Sequence, residues 1–438
     1  MNVVLEPAPV AVAARDVQRR TLFLLVCTQM IGGIGVAIGL SVGALLAAEM
    51  AGTSVSGLAQ SAAVVGAALL AVPATRLMRG AGRRPGLVLA YLVGSVGAVL
   101  TVAAATMGSV PLLFVGLFLF GGGTTANYQA RYAAVDLAEP SRRGRQLSLV
   151  VWATTIGAVA GPNLAKLADS AVGGYGLAKY SGPFVISALA FLVAGVALLA
   201  LLRPDPLLTA RTLARTAAAT DGEGPAAAGP APRSGLRAAL REVAASPGAR
   251  LGIAAVAMGH LVMVGVMAMT PVHIGEAGHG EADTLRIVGI VLSLHIAGMY
   301  AFSPVTGWLT DRVGRRPIIL GGIALLLAAC AVAGTAGHDT TRLSAGLVLL
   351  GMGWSGTMVA GSTLLSESVG VANKPAVQGL SDLVMGLAGA SAGALSGLVV
   401  AWSSYATLAA LAAVATVPLI ALALRPVRPG RPALAEGS

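Results

Sequence analysis

The chain is poor in charge, in aromatic side chains and in cysteine. Only 11% of its 438 residues are charged, whereas soluble domains carry about 25%, so a water-soluble fold of this length is excluded. Aromatic residues make up 4%, and no basic patch is interleaved with them, which excludes nucleic-acid binding as the reason for the net charge of +11. Both cysteines, Cys27 and Cys330, lie in apolar runs, so no disulfide framework is indicated.

Two motifs of nucleotide and metal chemistry are also missing. The chain contains neither a Walker A phosphate-binding loop nor an HExxH zinc-binding pair. ATP-driven transport and this type of metalloenzyme are therefore not expected. The sequence predicts no catalytic residue and no cofactor.

Long apolar runs dominate the chain instead. Hydrophobic residues make up 56% of it, and a membrane-spanning helix needs about 20 of them in succession. The sequence therefore predicts an all-α membrane protein, with twelve transmembrane helices in two pseudo-symmetric six-helix bundles. The predicted spans are 22–47, 55–77, 86–107, 111–135, 147–169, 183–202, 250–272, 286–309, 317–336, 342–365, 376–400 and 403–424.

The placement of positive charge predicts the orientation. Most of the 29 Lys and Arg residues lie in the tails and loops of one side, which places both termini in the cytoplasm of a bacterium with the spans in its inner membrane. The longest loop is rich in Pro, Gly, Ala and Arg, which indicates a flexible linker with a short interfacial helix around 235–246. The predicted units are the tail 1–21, the first bundle 22–202, the linker 203–249, the second bundle 250–424 and the tail 425–438.

Two similar loops indicate an internal repeat. The loop after the eighth span reads GWLTDRVGRR, and the loop after the second span reads TRLMRGAGRR. Loops that correspond in the two halves are expected where six-helix units are repeated, as in many secondary transporters. The loop after the eighth span resembles the cytoplasmic loop signature of the major facilitator superfamily, and this resemblance implies the fold of that family. There this loop governs the conformational switch, so the resemblance predicts a gating loop of Gly307, Asp311, Arg312, Gly314, Arg315 and Arg316.

The two loops differ at the acidic position. In the second half, Asp311 is expected to contact a helix N-terminus and arginines, and so to hold the halves together on the cytoplasmic side. In the first half, Thr75 replaces the first glycine and Arg79 stands in place of the aspartate. A gating role of that loop is therefore in doubt.

Ionisable and strongly polar residues inside the spans are candidate functional residues, because burying them in a membrane is costly. Asp382, about two turns into the eleventh span, is the candidate for proton coupling, with a bond to a neighbouring helix as the alternative. The others are Gln29, Gln60, Asn127, Gln129, Arg131, Asp136, Asn163, His260, His273 and His295.

Methionine and histidine concentrate in spans seven and eight. On a helix, His260, Met263 and Met267 lie within about 60° of one another, and His295 and Met299 are i, i+4 neighbours on the next span. Thioethers favour Cu(I), and imidazole also suits copper. A methionine stripe is equally a common packing feature of helices, so spacing alone leaves both interpretations open.

The same residues carry a more specific resemblance. Met263-x-x-x-Met267 before Thr270-Pro271, followed by His295-x-x-x-Met299, resembles the pattern of CcoA-like copper importers. Related members of that branch are similar to bacterial riboflavin importers. The resemblance implies copper import through Met263, Met267, His295 and Met299, with His260 as a possible fifth ligand, or import of riboflavin.

Two further functions, drug export and a role without transport, stay open. Gly157 to Asn163 in the fifth span resembles the beginning of a motif of proton-driven drug exporters, although a kink between packed helices explains the same glycines. A receptor or scaffold without transport is a minor alternative. The expected partners are a small solute or metal ion and the lipid bilayer, and the protein is expected to act as a monomer.

Overall fold

The structure is a computed structural model that describes residues 9–172, 175–220, 236–275 and 281–425. Apart from Arg425, the predicted C-terminal tail lies outside these residues. Helices dominate the described part, in which no strand occurs. The first half contains α1 (Pro9–Ala51), α2 (Thr53–Ala81), α3 (Arg83–Met107), α4 (Val110–Ala133), α5 (Arg143–Val172) and α6 (Ser181–Leu201), and the linker contains α7 (Pro206–Thr220) and α8 (Leu236–Ala245). The second half contains α9 (Pro247–Gly275), α10 (Glu281–Tyr300), α11 (Ser303–Val313), α12 (Arg315–Gly334), α13 (Thr340–Glu367), α14 (Lys374–Trp402), α15 (Tyr405–Ala415) and α16 (Val417–Leu424).

The helices agree with the predicted spans. Among the described residues, eleven helical segments are long and apolar enough to cross a membrane. The remaining predicted span, 147–169, lies within α5, which has 30 residues. The expected all-α membrane fold of two six-helix halves is therefore confirmed.

Two predicted spans are not continuous. Span 286–309 is divided between α10 and α11 at residues 301–302, and span 403–424 is divided between α15 and α16 at Thr416. Each break lies just before a proline, Pro304 or Pro418. A proline lacks the N–H group of the helical ladder and disfavours helical geometry in the residue before it. Each segment, Ile287–Val313 and Tyr405–Leu424, is nevertheless long and apolar enough to cross a membrane as one span, as predicted.

Two segments predicted to be irregular are helical. Helix α1 begins at Pro9, so most of the predicted tail 1–21 continues the first span. Helix α7 occupies 206–220 of the predicted flexible linker, because its alanines, leucines and arginines favour a helix and Asp205 accepts hydrogen bonds from the N–H groups of Leu207 and Leu208 at its start. The short helix predicted at 235–246 is present as α8, and its position at the membrane interface stays a prediction; residues 221–235 lie outside the described part.

Glycines allow the helices of each half to pack backbone to backbone. A Cβ atom on Gly66 of α2 would overlap the carbonyl group of Phe118 on α4, and one on Gly121 would overlap the backbone of Ala67. Small residues permit such close approach, which gives helix association in lipid its dispersion energy. The backbones of α2 and α4 therefore lie in direct contact at Gly66 and Gly121, where a larger side chain would push the two helices apart.

Replacing Gly66 with alanine should destabilise the protein by about 1–3 kcal/mol, because the added methyl group forces two helix backbones apart. The matched control is Gly80→Ala in the last turn of the same helix, where a Cβ atom would meet no atom within 4 Å. Thermal unfolding in detergent should show a lower melting temperature for Gly66→Ala only. Equal melting temperatures for the two variants would contradict the packing described here.

The two halves meet toward one side of the molecule. We call it the linker side, because α7 and α8 connect the halves there; it is the side predicted to be cytoplasmic. Ser303 at the start of α11 donates to the carbonyl group of Ser148 on α5 (3.1 Å), and Gly307 lies directly against the backbone of Gly144. On the opposite pair, Gly379 of α14 lies against Thr75 of α2. The structure is therefore closed on the linker side.

Candidate substrate site between the two halves

A buried ion pair joins the two halves of the protein. Arg131, near the end of α4, donates from Nη2 to Oδ1 of Asp382 on α14 (2.5 Å). Gln129 donates to the other carboxylate oxygen (2.7 Å). The side chains of Arg131 and Asp382 are only 3% and 2% exposed. An ion pair with so little solvent is costly unless its geometry and further hydrogen bonds compensate, and here both carboxylate oxygens have a donor.

Aromatic rings surround the cation of this pair. The guanidinium carbon of Arg131 lies 4.6 Å from the ring centre of Tyr132 and 5.3 Å from that of Tyr128. Both distances are within the range of a cation–π interaction. Tyr132 is fully buried, whereas Tyr128 is partly exposed. In a chain with so few aromatic residues, two of them therefore pack on one cation.

The second half adds an aromatic and imidazole group to the same site. The indole N–H of Trp354 on α13 donates to Nδ1 of His260 on α9 (3.2 Å). The ring of Tyr300, at the end of α10, meets the ring of Trp354 edge-on at 5.5 Å. Trp354 belongs to a buried cluster against which both Tyr300 and Tyr128, the neighbour of Arg131 in the first half, pack. These residues therefore form one site between the halves.

Several buried polar atoms of the two halves lack a hydrogen-bond partner in the described part of the chain. Buried polar groups in native proteins are nearly always hydrogen-bonded, so unpaired ones indicate contacts with a ligand or with water. In the second half and on α4 the unpaired atoms are Arg131 Nε, Ser355 Oγ and His295 Nε2, and in the first half they are Gln29 Oε1 and Thr155 Oγ1.

A second buried ion pair lies closer to the linker side. Arg83, the first residue of α3, binds Asp136 through two hydrogen bonds of 2.7 and 3.0 Å. Its Nη2 also donates to Gln378 on α14 (2.7 Å), which in turn donates to Ser366. Both charged side chains have no exposed surface. This pair therefore connects the loop between α2 and α3 to the second half.

The sequence predicts part of this site. Asp382, Arg131, Gln129 and His260 were candidates because they are polar residues inside spans. Arg83 was not among the candidates, because a basic residue in a loop is typical of the cytoplasmic side of a membrane protein and does not by itself indicate a functional site. Nor were the aromatic residues Tyr128, Tyr132, Tyr300 and Trp354, because nothing in their spacing separates them from packing residues.

The predicted copper ligands contact different parts of the second half. Nδ1 of His295 lies 2.8 Å from the carbonyl group of Leu347, whereas His260 pairs with Trp354. These two partners are seven residues apart on α13, which is about 10 Å along a helix. The contacts therefore hold the two imidazoles at different depths.

The predicted methionine ligands lie in apolar surroundings. Met263 and Met299 are buried in one cluster with Val262, Val266 and Leu347, and Met267 packs against that cluster. The described residues contain no group of three or more His, Cys, Asp or Glu that would hold a metal ion. Methionine is not among these four residue types, so a Met/His copper site stays a prediction.

Three predicted gating residues contact the first half. The carboxylate of Asp311 accepts hydrogen bonds from the backbone N–H groups of Gly144 and Arg145 at the start of α5 (both 2.8 Å). Arg315 donates to the carbonyl group of Pro140 (2.8 Å), and Gly307 packs on Gly144. The helix N-terminus expected as the partner of Asp311 is thus present, and its part in gating stays a prediction.

The other three gating residues act within the second half. Gly314 has a φ of +107°, which favours glycine and allows the turn between α11 and α12. The guanidinium group of Arg312 lies over the ring of Trp308 (5.1 Å). Arg316 donates to the carbonyl group of Arg425 (3.1 Å). These contacts shape the loop rather than join the halves.

The remaining candidates have structural partners. Gln29 donates to Thr154 (2.9 Å), Asn127 accepts from Tyr91 (2.8 Å), and His273 lies 2.7 Å from the carbonyl group of Gly337. In the motif that resembles drug exporters, Gly157 and Gly161 pack directly on the backbone of α1, which favours the packing interpretation. The side chains of Gln60 and Asn163 lie outside the described part of the structure.

Comparison with known proteins assigns a family. The family model of the Major Facilitator Superfamily matches residues 21–286 and 279–438. The chain is 39% identical to the uncharacterized MFS-type transporter YdeG of Bacillus subtilis, over 90% of this chain and 89% of the relative. It is 26% identical to the riboflavin transporter RfnT of Brucella anthropi, over 89% of this chain and 91% of the relative.

Solved structures agree with the fold. The transporter FucP in its outward conformation matches with a TM-score of 0.65 at 17% identity, over 92% of this chain and 97% of FucP. The human organic anion transporter MFSD10 matches with a TM-score of 0.67 at 15% identity, over 93% of this chain and 99% of its own. At such identities the likeness concerns the fold alone.

Proposed function

Because this chain belongs to the Major Facilitator Superfamily, we propose that it is a secondary active transporter of a planar aromatic solute with several hydrogen-bonding groups, of the riboflavin type. Transporters of this kind bind their solute near the midplane between two repeats and expose it alternately to either side. One observation supports the proposed substrate class above others. Arg131 lies between Tyr128 and Tyr132 at the interface of the halves, with Trp354 and Tyr300 nearby.

The chemistry of this site fits a flat, polar ring system. Aromatic side chains offer faces for stacking, and the unpaired Nε of Arg131 and Oγ of Ser355 offer hydrogen bonds. The relationship to RfnT, whose printed name is riboflavin transporter, favours the same class. Copper import, the other solute expected from the sequence, has less support, because the imidazoles of His260 and His295 pair with residues two turns apart on α13.

We further infer that Asp382 couples transport to protons. The Arg131–Asp382 pair crosses the interface, so it must break when the linker side opens. Protonation of the Asp382 carboxylate removes the charge that holds Arg131 and so lowers the cost of separating the halves. A proton taken up at Asp382 would thus favour opening on the linker side.

The test is uptake of labelled riboflavin by a bacterium that neither makes nor imports it. Cells with the wild-type protein should accumulate the label, and Arg131→Gln should reduce the initial rate at least tenfold, since it removes the cation on which the rings pack (about 1.4 kcal/mol per factor of ten). Arg76→Gln, an exposed position on α2, should transport like the wild type.

Other results of the uptake experiment would favour a different solute or the opposite direction of transport. Uptake no greater than in cells with empty vector, at equal membrane abundance, would refute riboflavin as the solute. Copper uptake should then be compared between the wild type and Met263→Ala/His295→Ala, since loss in the double variant would favour the Met/His site. Release of a preloaded drug from the cells would instead favour export.

A further inference from the structure

The repeated loops of the two halves are anchored by different means. In the second half, Asp311 within the loop accepts two backbone hydrogen bonds from the start of α5. The corresponding position of the first-half loop is Arg79, which has no carboxylate for the same contact. On this side α2 lies against α14, and the contacts that join them come from other residues, such as the hydrogen bond from Arg83 to Gln378.

Asp205, at the beginning of the linker, supplies a carboxylate to this loop. Its Oδ2 accepts a hydrogen bond from the backbone N–H of Arg84, in the first turn of α3 (2.7 Å). Its Oδ1 accepts from the N–H groups of Leu207 and Leu208 at the start of α7. A Cβ atom on Gly82 would overlap the Asp205 carboxylate. The absence of a side chain at Gly82 therefore leaves the space that this carboxylate occupies. One side chain thus ties α7 to the first-half loop.

Arg211 of α7, six residues after Asp205, connects that loop to the second half. Its Nη1 donates to the carbonyl group of Arg79, in the last turn of α2 (2.8 Å). Its Nη2 donates to the carbonyl group of Ala372, in the loop before α14 (3.2 Å). Carbonyl groups at helix ends lack partners within the helix and attract cations. A single guanidinium fork therefore spans the interface between α2 and α14.

We propose that α7 is an interdomain latch, in which Asp205 anchors the helix to the first half and Arg211 holds the second. It replaces the acidic residue that the first-half loop lacks, so the two sides of the interface are closed by different devices: Asp311 between α11 and α5, and the linker helix between α2 and α14. The linker is then part of the gate, and its conformation sets how readily the linker side opens. The latch acts whichever solute is carried.

The test measures opening directly, by double electron–electron resonance in lipid nanodiscs. Spin labels are placed at Gly80→Cys and Gly370→Cys after Cys27 and Cys330 are replaced by alanine. Gly80 ends α2, Gly370 precedes α14, and a Cβ atom at either would meet no atom within 4 Å. The wild-type latch should give mainly a short distance. Arg211→Gln should increase the ratio of long to short distances about tenfold, because the donor to both carbonyl groups is lost.

Two further variants make the result decisive. Arg211→Lys should open like Arg211→Gln, since an ammonium group is a point donor that lacks the fork spanning both carbonyl groups. Arg215→Gln, exposed one turn along the same helix, should keep the wild-type distances. Unchanged distances in Arg211→Gln, or equal opening in Arg215→Gln, would overturn the latch. Melting temperatures of all labelled variants show whether a longer distance comes from unfolding. Because the readout needs no solute, failure here is distinct from failure of riboflavin transport.

Discussion

Replacing Asp382 with asparagine is expected to lower proton-driven accumulation of solute at least tenfold. Asparagine keeps the shape of the side chain and still accepts a hydrogen bond from Gln129, but it has no charge and does not titrate. Arg131 then stays in a site that is 3% exposed without its counter-ion, and leaving one charge of a buried pair unpaired costs about 3–5 kcal/mol. The measurement is uptake of labelled riboflavin into proteoliposomes with an imposed pH gradient.

The control substitution is Asp339→Asn. Asp339 accepts hydrogen bonds from the N–H groups of Thr341 and Arg342 at the start of α13, away from the interface, so transport should stay near the wild-type rate. The double variant Arg131→Gln/Asp382→Asn should melt at a higher temperature than Asp382→Asn alone, because it leaves no unpaired charge. It should still fail to accumulate solute. Full accumulation by Asp382→Asn would exclude this carboxylate as the coupling group.

Hydropathy predicted the spans of this protein because a lipid environment imposes one rule on every segment. Each backbone polar group must be bonded internally, so an apolar run of sufficient length becomes a helix. The same rule gives no guide for the polar linker, where the sequence predicts a flexible segment and the structure contains α7. The alanines, leucines and arginines of α7 favour a helix, and the Asp205 carboxylate at its start accepts a hydrogen bond from the N–H group of Arg84, 121 positions away in the chain. Local composition carries no signal of such a contact.

The sequence predicts only those residues of the candidate site whose burial in a membrane costs free energy, namely the charged and strongly polar ones. Asp382 and Arg131 stand out in any apolar span, and the structure pairs them. The rings of Tyr128 and Trp354 are apolar enough to pack anywhere, so their position near Arg131 depends on how five helices assemble. The methionines illustrate the converse. Met263 on α9 and Met299 on α10 have the spacing that predicts copper ligands, yet that spacing also fits the apolar cluster in which both methionines lie.

The buried pair of Arg83 and Asp136 supports the largest expected loss of stability. Asp136→Ala should destabilise the protein by about 3–5 kcal/mol, because it leaves a fully buried guanidinium without its carboxylate. The measurement is thermal unfolding in detergent at equal protein concentration. Replacing both partners, as Arg83→Met/Asp136→Leu, should recover most of the loss, since an apolar pair of similar volume carries no desolvation cost.

An exposed ion pair in the same region provides the control. Arg15 and Glu139 lie 3.1 Å apart with side chains 65% and 46% exposed, and such a surface pair contributes about 0–1 kcal/mol. Glu139→Ala should therefore melt within a few degrees of the wild type. If Asp136→Ala and Glu139→Ala melt alike, the network of Arg83, Asp136 and Gln378 does not hold the linker side together. If only the buried pair matters, closure on that side depends on the position that Asp136 gives to Arg83, and opening must supply Nη2 of Arg83 with a new partner in place of Gln378.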